Sequence, residues 1–343
     1  MSLTAKPKRV WKGRNILLWT VISAVIIFIL ISLISDLEAL MKALAGFPRI
    51  LLVPIAMLSL GNYILRYVKW HWYLKLMGYR IRRFPNFLVF LSGFALTVTP
   101  GKVGEFIKAF IVKERFQVPY TVSTAVLLME RFTDVAALVL LSCLGLLLRF
   151  LHWSAAVAAV FILFAFLMLL RNRSLVGWFI LGMSRFKLLK RFTGPLRTFY
   201  EEGRVLLEPW VFVQSLILSL CAWFLEGLGY ALVVWSFNVG ISLTEGVFIY
   251  SAAILGGALT LFFGGLGATE GGMVGLGIAF GMSTPIAGAS TVIIRVMTLW
   301  FAVLIGWSVF LTTPWLRSLL QAARIDEDEM TSEEIKVRDE SRL

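Results

Sequence analysis

Charged side chains stand inside membrane-length apolar stretches of this sequence, where each is costly unless a partner or a ligand compensates it. The first group follows Pro100 and Gly101 and consists of Lys102, Glu105 and Lys108. A half-helix that begins there would point its N-terminal amide groups at the midplane, and Lys102 adds a positive charge, so a phosphate or carboxylate is favoured. Glu105 and Lys108 are three residues apart, so they can instead form an internal ion pair that holds the segment shut.

Two further groups combine arginine with carboxylates. Glu130, Arg131 and Asp134 are spaced so that they share one helix, and Arg131 can pair with either carboxylate. A structural ion pair and contact with an anionic substrate both fit Arg131. Arg295 has no carboxylate within four residues, so its partner is either Glu270 or a substrate anion.

The segment from Arg66 to Tyr73 is basic and aromatic. Lys69 and the following Lys75 are interpreted as interfacial anchors whose charges reach the headgroup region. Arg66 lies deeper in the span, and both roles, interfacial anchoring and substrate binding, fit it. Glu226 has no cation within four residues, which makes it a candidate for proton coupling or for binding an amine.

Residues for metal or nucleophilic chemistry are scarce. His71 and His152 are the two histidines, and both are predicted near membrane interfaces, which leaves little for His-dependent metal sites or a Ser-His-Asp triad. Cys143 and Cys221 lie in apolar runs, where we expect helix packing rather than a disulfide framework. No phosphate-loop or dinucleotide spacing is met, and the basic residues are dispersed, which argues against nucleic acid. We expect no catalytic residue, no metal and no cofactor.

The composition identifies the surroundings of the chain. Of its 343 residues, 59% are hydrophobic and 15% are charged, with a mean hydropathy of +0.85. A soluble domain carries about 25% charged residues, so we predict a polytopic membrane protein. The net charge of +13 is unevenly placed, because residues 324–343 hold 8 of the 20 acidic residues and 4 of the 33 basic ones. We expect this acidic segment to be disordered.

Apolar stretches of about 20 residues are long enough for membrane-spanning helices. The positive-inside rule places the basic segments and both termini on the cytoplasmic side of the cell membrane. We predict a basic cytoplasmic N-terminus over 1–14, a transmembrane domain over 15–315 and an acidic cytoplasmic tail over 316–343. The predicted full crossings are 16–34, 50–73, 121–148, 153–170, 210–237 and 285–312.

Two other apolar stretches, 86–118 and 247–282, are interrupted by glycine and proline into pieces too short to cross. We interpret each as a re-entrant helical hairpin. The residues predicted at the hairpin tips are Pro100, Gly101, Gly104, Gly264, Gly265 and Gly267.

The two hairpins belong to an internal duplication. Residues 93–104 are identical to residues 256–267 at six of twelve positions. Repeat 1 is predicted over about 50–148 and repeat 2 over about 210–312. An odd number of crossings separates them, so the second is inverted, an architecture of secondary transporters with a polar site between the hairpins. The predicted fold is an all-α polytopic membrane protein with six full helices and two re-entrant hairpins. Span 153–170 and a basic cytoplasmic loop, 171–208, join the repeats.

Three motifs in this order resemble the lysylphosphatidylglycerol synthase transmembrane-region family of flippase-like membrane proteins. They are Pro100-Gly-Lys-Val-Gly-Glu-Phe-Ile-Lys108, Glu130-Arg-Phe-Thr-Asp134 and Gly264-Gly-Leu-Gly-Ala-Thr-Glu270. The resemblance covers nearly all of 15–315 and implies movement of lipids or lipid-linked precursors between leaflets. Some members carry an aminoacyl transferase domain after this region. We expect no aminoacylation here, because only a short acidic tail follows it.

The sequence and the resemblance together predict a transporter of an anionic phospholipid or lipid-linked precursor, not an enzyme. Lys102, Arg131 and Arg295, with Arg66, would bind the phosphate. Two alternatives stay open: a lipid-modifying enzyme with Glu130 or Asp134 as general base, and a non-catalytic cell-envelope scaffold. The expected partners are membrane lipids, and homo-oligomers and an envelope-biosynthesis partner are left open. Charge pairing or proton coupling is assigned to Glu105, Lys108, Glu130, Asp134, Glu226 and Glu270.

Overall fold

The computed structural model describes residues 37–97, 106–150, 154, 157–158, 161, 165, 168–169, 171–184, 187–259 and 267–319. This part of the chain is almost entirely helical and contains no strand, as the predicted all-α class requires. The helices are α1 (Leu37–Gly46), α2 (Leu52–Leu76), α3 (Arg83–Ser92), α4 (Phe106–Phe116), α5 (Tyr120–Phe150), α6 (Arg173–Ser184), α7 (Lys187–Gly203), α8 (Pro209–Trp235), α9 (Leu243–Leu259), α10 (Ala268–Ala279), α11 (Thr284–Arg295) and α12 (Phe301–Thr312). Turns of 3-10 helix at Arg49–Leu51, Gly93–Leu96 and Arg204–Leu207, and a π-helical turn at Val296–Trp300, extend or join them.

In the described part of the chain, three helical stretches are long and apolar enough to cross a membrane. They are Arg49–Leu76, Pro209–Trp235 and Thr284–Thr312, and each covers a predicted crossing. Helix α5, with 31 residues, covers a fourth. Two apolar stretches are shorter, Arg83–Leu96 and Leu243–Ala258, and each forms the first arm of a predicted hairpin.

The remaining predicted crossings cannot be compared in full. Crossing 16–34 lies outside the described residues, as does most of 153–170. The number of crossings and the re-entrant form of the two hairpins therefore stay predictions.

The basic segment 171–208, predicted as a cytoplasmic loop between the repeats, contains two helices, and its side of the membrane stays a prediction. Its apolar residues recur at helical spacing and form α6, which packs against α7. Arg173 Nη2 lies 3.6 Å from Glu201 Oε2 and links the two helices. Trp178 and Phe179 of α6 are exposed, as apolar side chains of a membrane protein can be where they meet lipid.

Helices α2 and α8 end in the same way. Gly78 follows α2 with φ +92°, and Asn238 follows α8 with φ +55°. Glycine and asparagine are the residues that adopt this left-handed backbone most readily. In both halves the residue turns the chain out of a long helix and into the first arm of a predicted hairpin.

Helices α2 and α8 pack side by side and antiparallel. Asn62 Nδ2 donates a hydrogen bond of 2.8 Å to the Ala222 carbonyl, while Lys69 Nζ donates one of 2.6 Å to Ser219 Oγ. At the other end, Gly229 packs against Ile55 and Leu58. Residue numbers rise along α2 as they fall along α8, so the two chains run in opposite directions. The segments that follow α2 and α8 therefore leave from opposite ends of the pair.

The contacts between the two halves are also reciprocal, because equivalent helices of each half pack against each other's partner. The predicted hairpin over 86–118 is called hairpin 1, and that over 247–282 hairpin 2. Helix α9, the first arm of hairpin 2, packs along α5, while α3 and the turn Gly93–Leu96 of hairpin 1 pack along α12. Each first arm thus lies on the last long helix of the other half. Two halves related by an approximate twofold axis would pack in this way, and the antiparallel α2–α8 pair agrees with it.

The contact between α12 and hairpin 1 depends on one glycine. A Cβ atom at Gly306 would lie 2.2 Å from the Ala95 backbone nitrogen and 2.8 Å from the Phe94 carbonyl carbon. Backbone atoms cannot move aside as a flexible side chain can. Gly306 therefore sets how closely the hairpin approaches α12.

Candidate functional site

A cavity of about 110 Å³ lies where the two halves meet. Its walls come from α2, α3, α4 and α5 of the first half and from α8, α9, α10 and the α11–α12 region of the second. Among the lining residues, Thr97 and Lys108 flank the first hairpin tip, and Ala258 and Thr269 flank the second. Residues next to both predicted hairpin tips therefore line one cavity.

Cationic side chains outnumber carboxylates in the lining. Arg66, Lys108, Arg131 and Arg295 line the cavity from four different helices, and Glu226 is the single carboxylate among its described lining residues. All five were predicted as site residues, and folding brings them together from distant positions in the sequence. Such a cavity favours an anion, because hydrogen bonds from arginine or lysine to phosphate or carboxylate are charge-assisted.

Asp134 does not line the cavity, but it lies within 4 Å of three cationic side chains. Its Oδ1 atom is 2.6 Å from Lys69 Nζ and accepts a hydrogen bond of 3.0 Å from Ser219 Oγ. Its Oδ2 atom lies 3.4 Å from Arg131 Nη2 and 3.9 Å from Arg66 Nε. One carboxylate thus holds Lys69 closely and two cavity arginines at longer range. This arrangement leaves the arginines in reach of a second anion.

Glu130 is fully buried and holds the second arm of hairpin 1. Its Oε2 atom lies 3.1 Å from Lys108 Nζ on α4, and its Oε1 atom lies 3.8 Å from Arg131 Nη2. The Lys108 ammonium also lies over the rings of Trp70 and Phe90, with centroid distances of 4.5 and 5.0 Å. The rings stabilise the buried charge by cation–π attraction.

The second hairpin carries an equivalent contact. Arg295 Nε of α11 lies 2.6 Å from Glu270 Oε1 of α10, and both side chains are buried. Glu270 Oε2 accepts a hydrogen bond of 2.6 Å from the Gly267 backbone nitrogen, which caps the first turn of α10. Of the two partners predicted for Arg295, the structure therefore shows Glu270. Gly267 has φ +84°, a conformation that other residues adopt only with strain.

The two ion pairs occupy equivalent positions, but the cation and the carboxylate exchange places between the two halves. In the first half the cation, Lys108, is on the hairpin arm and the carboxylate, Glu130, is on the following long helix. In the second half the carboxylate, Glu270, is on the arm and the cation, Arg295, is on the following helix. Each arm is therefore tied to its neighbour by one buried pair.

Aromatic groups complete the lining. The Arg66 guanidinium lies 5.8 Å from the ring centroids of both Phe94 and Trp223, so one ring from each half contacts it. The Tyr250 hydroxyl of α9 donates a hydrogen bond to Glu226 Oε2 of α8. These rings were not singled out from the sequence, because nothing in a run of apolar residues distinguishes an aromatic residue at a cavity from one facing lipid.

The interpretation of Lys69 as an interfacial anchor is wrong. Its side chain is 1% exposed and bonds to Asp134, Thr133 and Ser219. The spacing in the sequence could have indicated that Lys69 belongs to the site, because Lys69 follows Arg66 by three residues and so shares its helical face. The aromatic neighbours of Lys69 in the sequence suggested an interface, whereas packing of α2 against α5 and α8 buries it.

Several predicted site residues lie outside the described part of the chain. The group comprises Lys102, Glu105, Pro100, Gly101, Gly104, Gly264 and Gly265. The proposed Glu105–Lys108 pair is among the contacts that cannot be described, whereas the Lys108–Glu130 pair can. Within the described ranges, no three His, Cys, Asp or Glu side chains form a group that could hold a metal ion.

Comparison with known proteins places this arrangement in a family. The profile of the lysylphosphatidylglycerol synthase TM region matches residues 18–306. A UPF0104 membrane protein of Methanothermobacter thermautotrophicus is 26% identical over 245 residues, which cover 65% of this chain and 72% of the relative. A second match to a UPF0104 membrane protein of the same organism is 34% identical over 90 residues, 26% of this chain and 27% of the relative.

Proposed function

This chain belongs to the lysylphosphatidylglycerol synthase transmembrane-region family and is an integral membrane protein, and we propose that it moves an anionic lipid between the leaflets of its membrane. The substrate is a phospholipid or a lipid-linked precursor with a phosphate in its headgroup. The headgroup enters the cavity between the two halves, while the acyl chains stay in the bilayer. The hairpins are re-entrant and form an inverted repeat.

One observation carries this proposal. The cavity between the antiparallel halves is lined by four cations and one carboxylate among the described residues. Charges at membrane depth are costly and usually mark substrate or ion pathways. A site for a neutral or cationic headgroup would not need this excess of positive charge.

The positions of the carboxylates favour transport over lipid chemistry. Glu130 and Asp134, the two candidates for a general base, are buried and held in ion pairs, and neither is among the residues that line the cavity. A general base must reach the proton that it removes. In a transporter these carboxylates instead neutralise the cations while the site is empty.

The proposal is tested with purified protein in vesicles that contain fluorescently labelled phosphatidylglycerol. A membrane-impermeant reductant bleaches label in the outer leaflet, so continued bleaching reports movement from the inner leaflet. Replacing Arg131 by alanine should slow this movement about tenfold or more, because a hydrogen bond to a charged group contributes about 1.5–3 kcal/mol. The control is Arg173→Ala, which removes an arginine from a solvent-exposed ion pair outside the cavity.

Arg295→Ala alone would leave Glu270 buried without its cation. The double variant Arg295→Ala/Glu270→Gln removes both charges, and glutamine keeps an oxygen that can accept the hydrogen bond from the Gly267 backbone nitrogen. We expect it to slow lipid movement as Arg131→Ala does. Wild-type rates in both Arg131→Ala and this double variant would contradict the proposed site.

A further inference from the structure

Glu226 differs from the other buried carboxylates of the site. Asp134, Glu130 and Glu270 each lie within 4 Å of a cation. Glu226 is 6% exposed, and its partner among the described residues is a neutral one, the hydroxyl of Tyr250. It nevertheless lines the same cavity.

Each cation that faces Glu226 from a neighbouring helix lies closer to another carboxylate than to Glu226. Arg66 of α2 and Arg295 of α11 are the facing cations, and Asp134 of α5 is the facing carboxylate. Arg66 lies 3.9 Å from Asp134, and Arg295 lies 2.6 Å from Glu270. Among the described residues, the other titratable group that contacts Glu226 is Tyr250 of α9, through its hydrogen bond, and the hydroxyl of Tyr63 on α2 is also near.

A buried carboxylate that has no cation within ion-pair distance is unstable as an anion. Transfer of an isolated ion into a low-dielectric interior is costly enough that such a group usually takes up a proton. An anionic headgroup in the same cavity adds a second negative charge, which makes the ionised carboxylate less favourable still. Binding of the headgroup and binding of a proton to Glu226 then strengthen one another, because such coupling is reciprocal.

We infer that Glu226 is a proton-binding site of the transporter, which takes up one proton when an anionic headgroup occupies the cavity and releases it when the headgroup leaves. This inference rests on the proposed function and adds a coupling ion to it. The proton binds a Glu226 carboxylate oxygen, while the Tyr250 hydroxyl holds the side chain at the cavity wall. One negative charge of the lipid thus crosses the bilayer together with one positive charge.

The test measures the same phosphatidylglycerol movement from mildly acidic to mildly alkaline pH. In the wild type the rate should fall as pH rises, by up to about tenfold per pH unit once Glu226 is mostly ionised, since one proton is involved. Glu226→Gln resembles the protonated side chain. Its rate should not depend on pH and should exceed that of the wild type at alkaline pH.

The matched control is Glu245→Gln. Glu245 is also buried, lies outside the cavity lining and accepts a hydrogen bond of 2.8 Å from the Ser242 backbone nitrogen. Glutamine retains an oxygen that can accept this bond. The variant should therefore keep the wild-type pH dependence.

Other results would overturn the inference in distinguishable ways. A wild-type rate that does not change with pH would refute proton coupling while lipid transport still stands. A Glu226→Gln variant with the same pH dependence as the wild type would refute it equally. If Glu226→Gln stopped the movement of a labelled ethanolamine lipid but not that of phosphatidylglycerol, Glu226 would bind the amine of a headgroup instead of a coupled proton. Absence of any lipid movement by the wild type would refute the proposed function itself, and this inference with it.

Discussion

Replacing Lys108 by methionine tests how strongly the buried ion pairs hold the hairpins. Methionine keeps a long apolar stem but removes the ammonium group that lies over the rings of Trp70 and Phe90. Glu130, which is fully buried, then loses the cation at 3.1 Å, and among the described residues its remaining ion-pair partner is Arg131, at 3.8 Å. The carboxylate becomes a nearly uncompensated buried charge.

The expected loss follows from these contacts. Removing one partner of a buried pair costs about 3–5 kcal/mol of the free energy of unfolding, and loss of the cation–π contacts is part of that amount, about 1–2 kcal/mol. The double variant Lys108→Met/Glu130→Gln has no uncompensated carboxylate. It should therefore be destabilised by about 1–2 kcal/mol only, because replacing both partners of a buried pair is often nearly neutral.

The measurement is a double-mutant cycle on the free energy of unfolding of the purified protein in detergent micelles, with Glu130→Gln as the second single variant. A coupling energy of about 2 kcal/mol or more between the two positions is expected, at the upper end of values for residues in contact. Strictly additive effects of the two substitutions would refute the reasoning. So would a Lys108→Met variant as stable as the wild type.

Other positions give independent predictions. Gly306→Ala places a Cβ atom 2.2 Å from the Ala95 backbone nitrogen, so it should destabilise the protein by about 1–3 kcal/mol in the same unfolding measurement. Gly177→Ala, whose Cβ atom would meet nothing within 4 Å, should not destabilise it, and equal losses would contradict the packing described for α12. Lys69→Met removes the closest cation of Asp134 and should destabilise by about 3–5 kcal/mol. Replacement of a lysine at the membrane interface would leave the stability nearly unchanged. Thermal unfolding of the purified variant therefore distinguishes a buried ion pair from an interfacial anchor.

The long helices were predictable because each is an apolar stretch of membrane-spanning length with few charged residues. The stretches Arg49–Leu76, Pro209–Trp235 and Thr284–Thr312 lie within a few residues of their predicted bounds. The opposite direction of the two halves followed from counting crossings, and the antiparallel contacts of α2 with α8 agree with it. The helices of 171–208 were missed, because basic residues between two spans suggested a cytoplasmic loop.

The site was predictable as a set of residues but not as a set of contacts. Arg66, Arg131, Arg295 and Glu226 stood out because charges in apolar runs are rare. Their partners depend on how helices pack, so the contact between Lys69 and Asp134, 65 residues apart, left no local pattern. The charge-swapped pairs of the two hairpins also required the structure, because Glu130 is not the nearest carboxylate to Lys108 in the sequence.

The most direct measurement is the rate at which labelled phosphatidylglycerol leaves the inner leaflet of vesicles that contain the purified wild-type protein. We predict a rate clearly above that of protein-free vesicles, with the mass of the recovered lipid unchanged. A rate equal to that of protein-free vesicles, or a lipid of altered mass, would contradict the account of this protein as a transporter of anionic lipids.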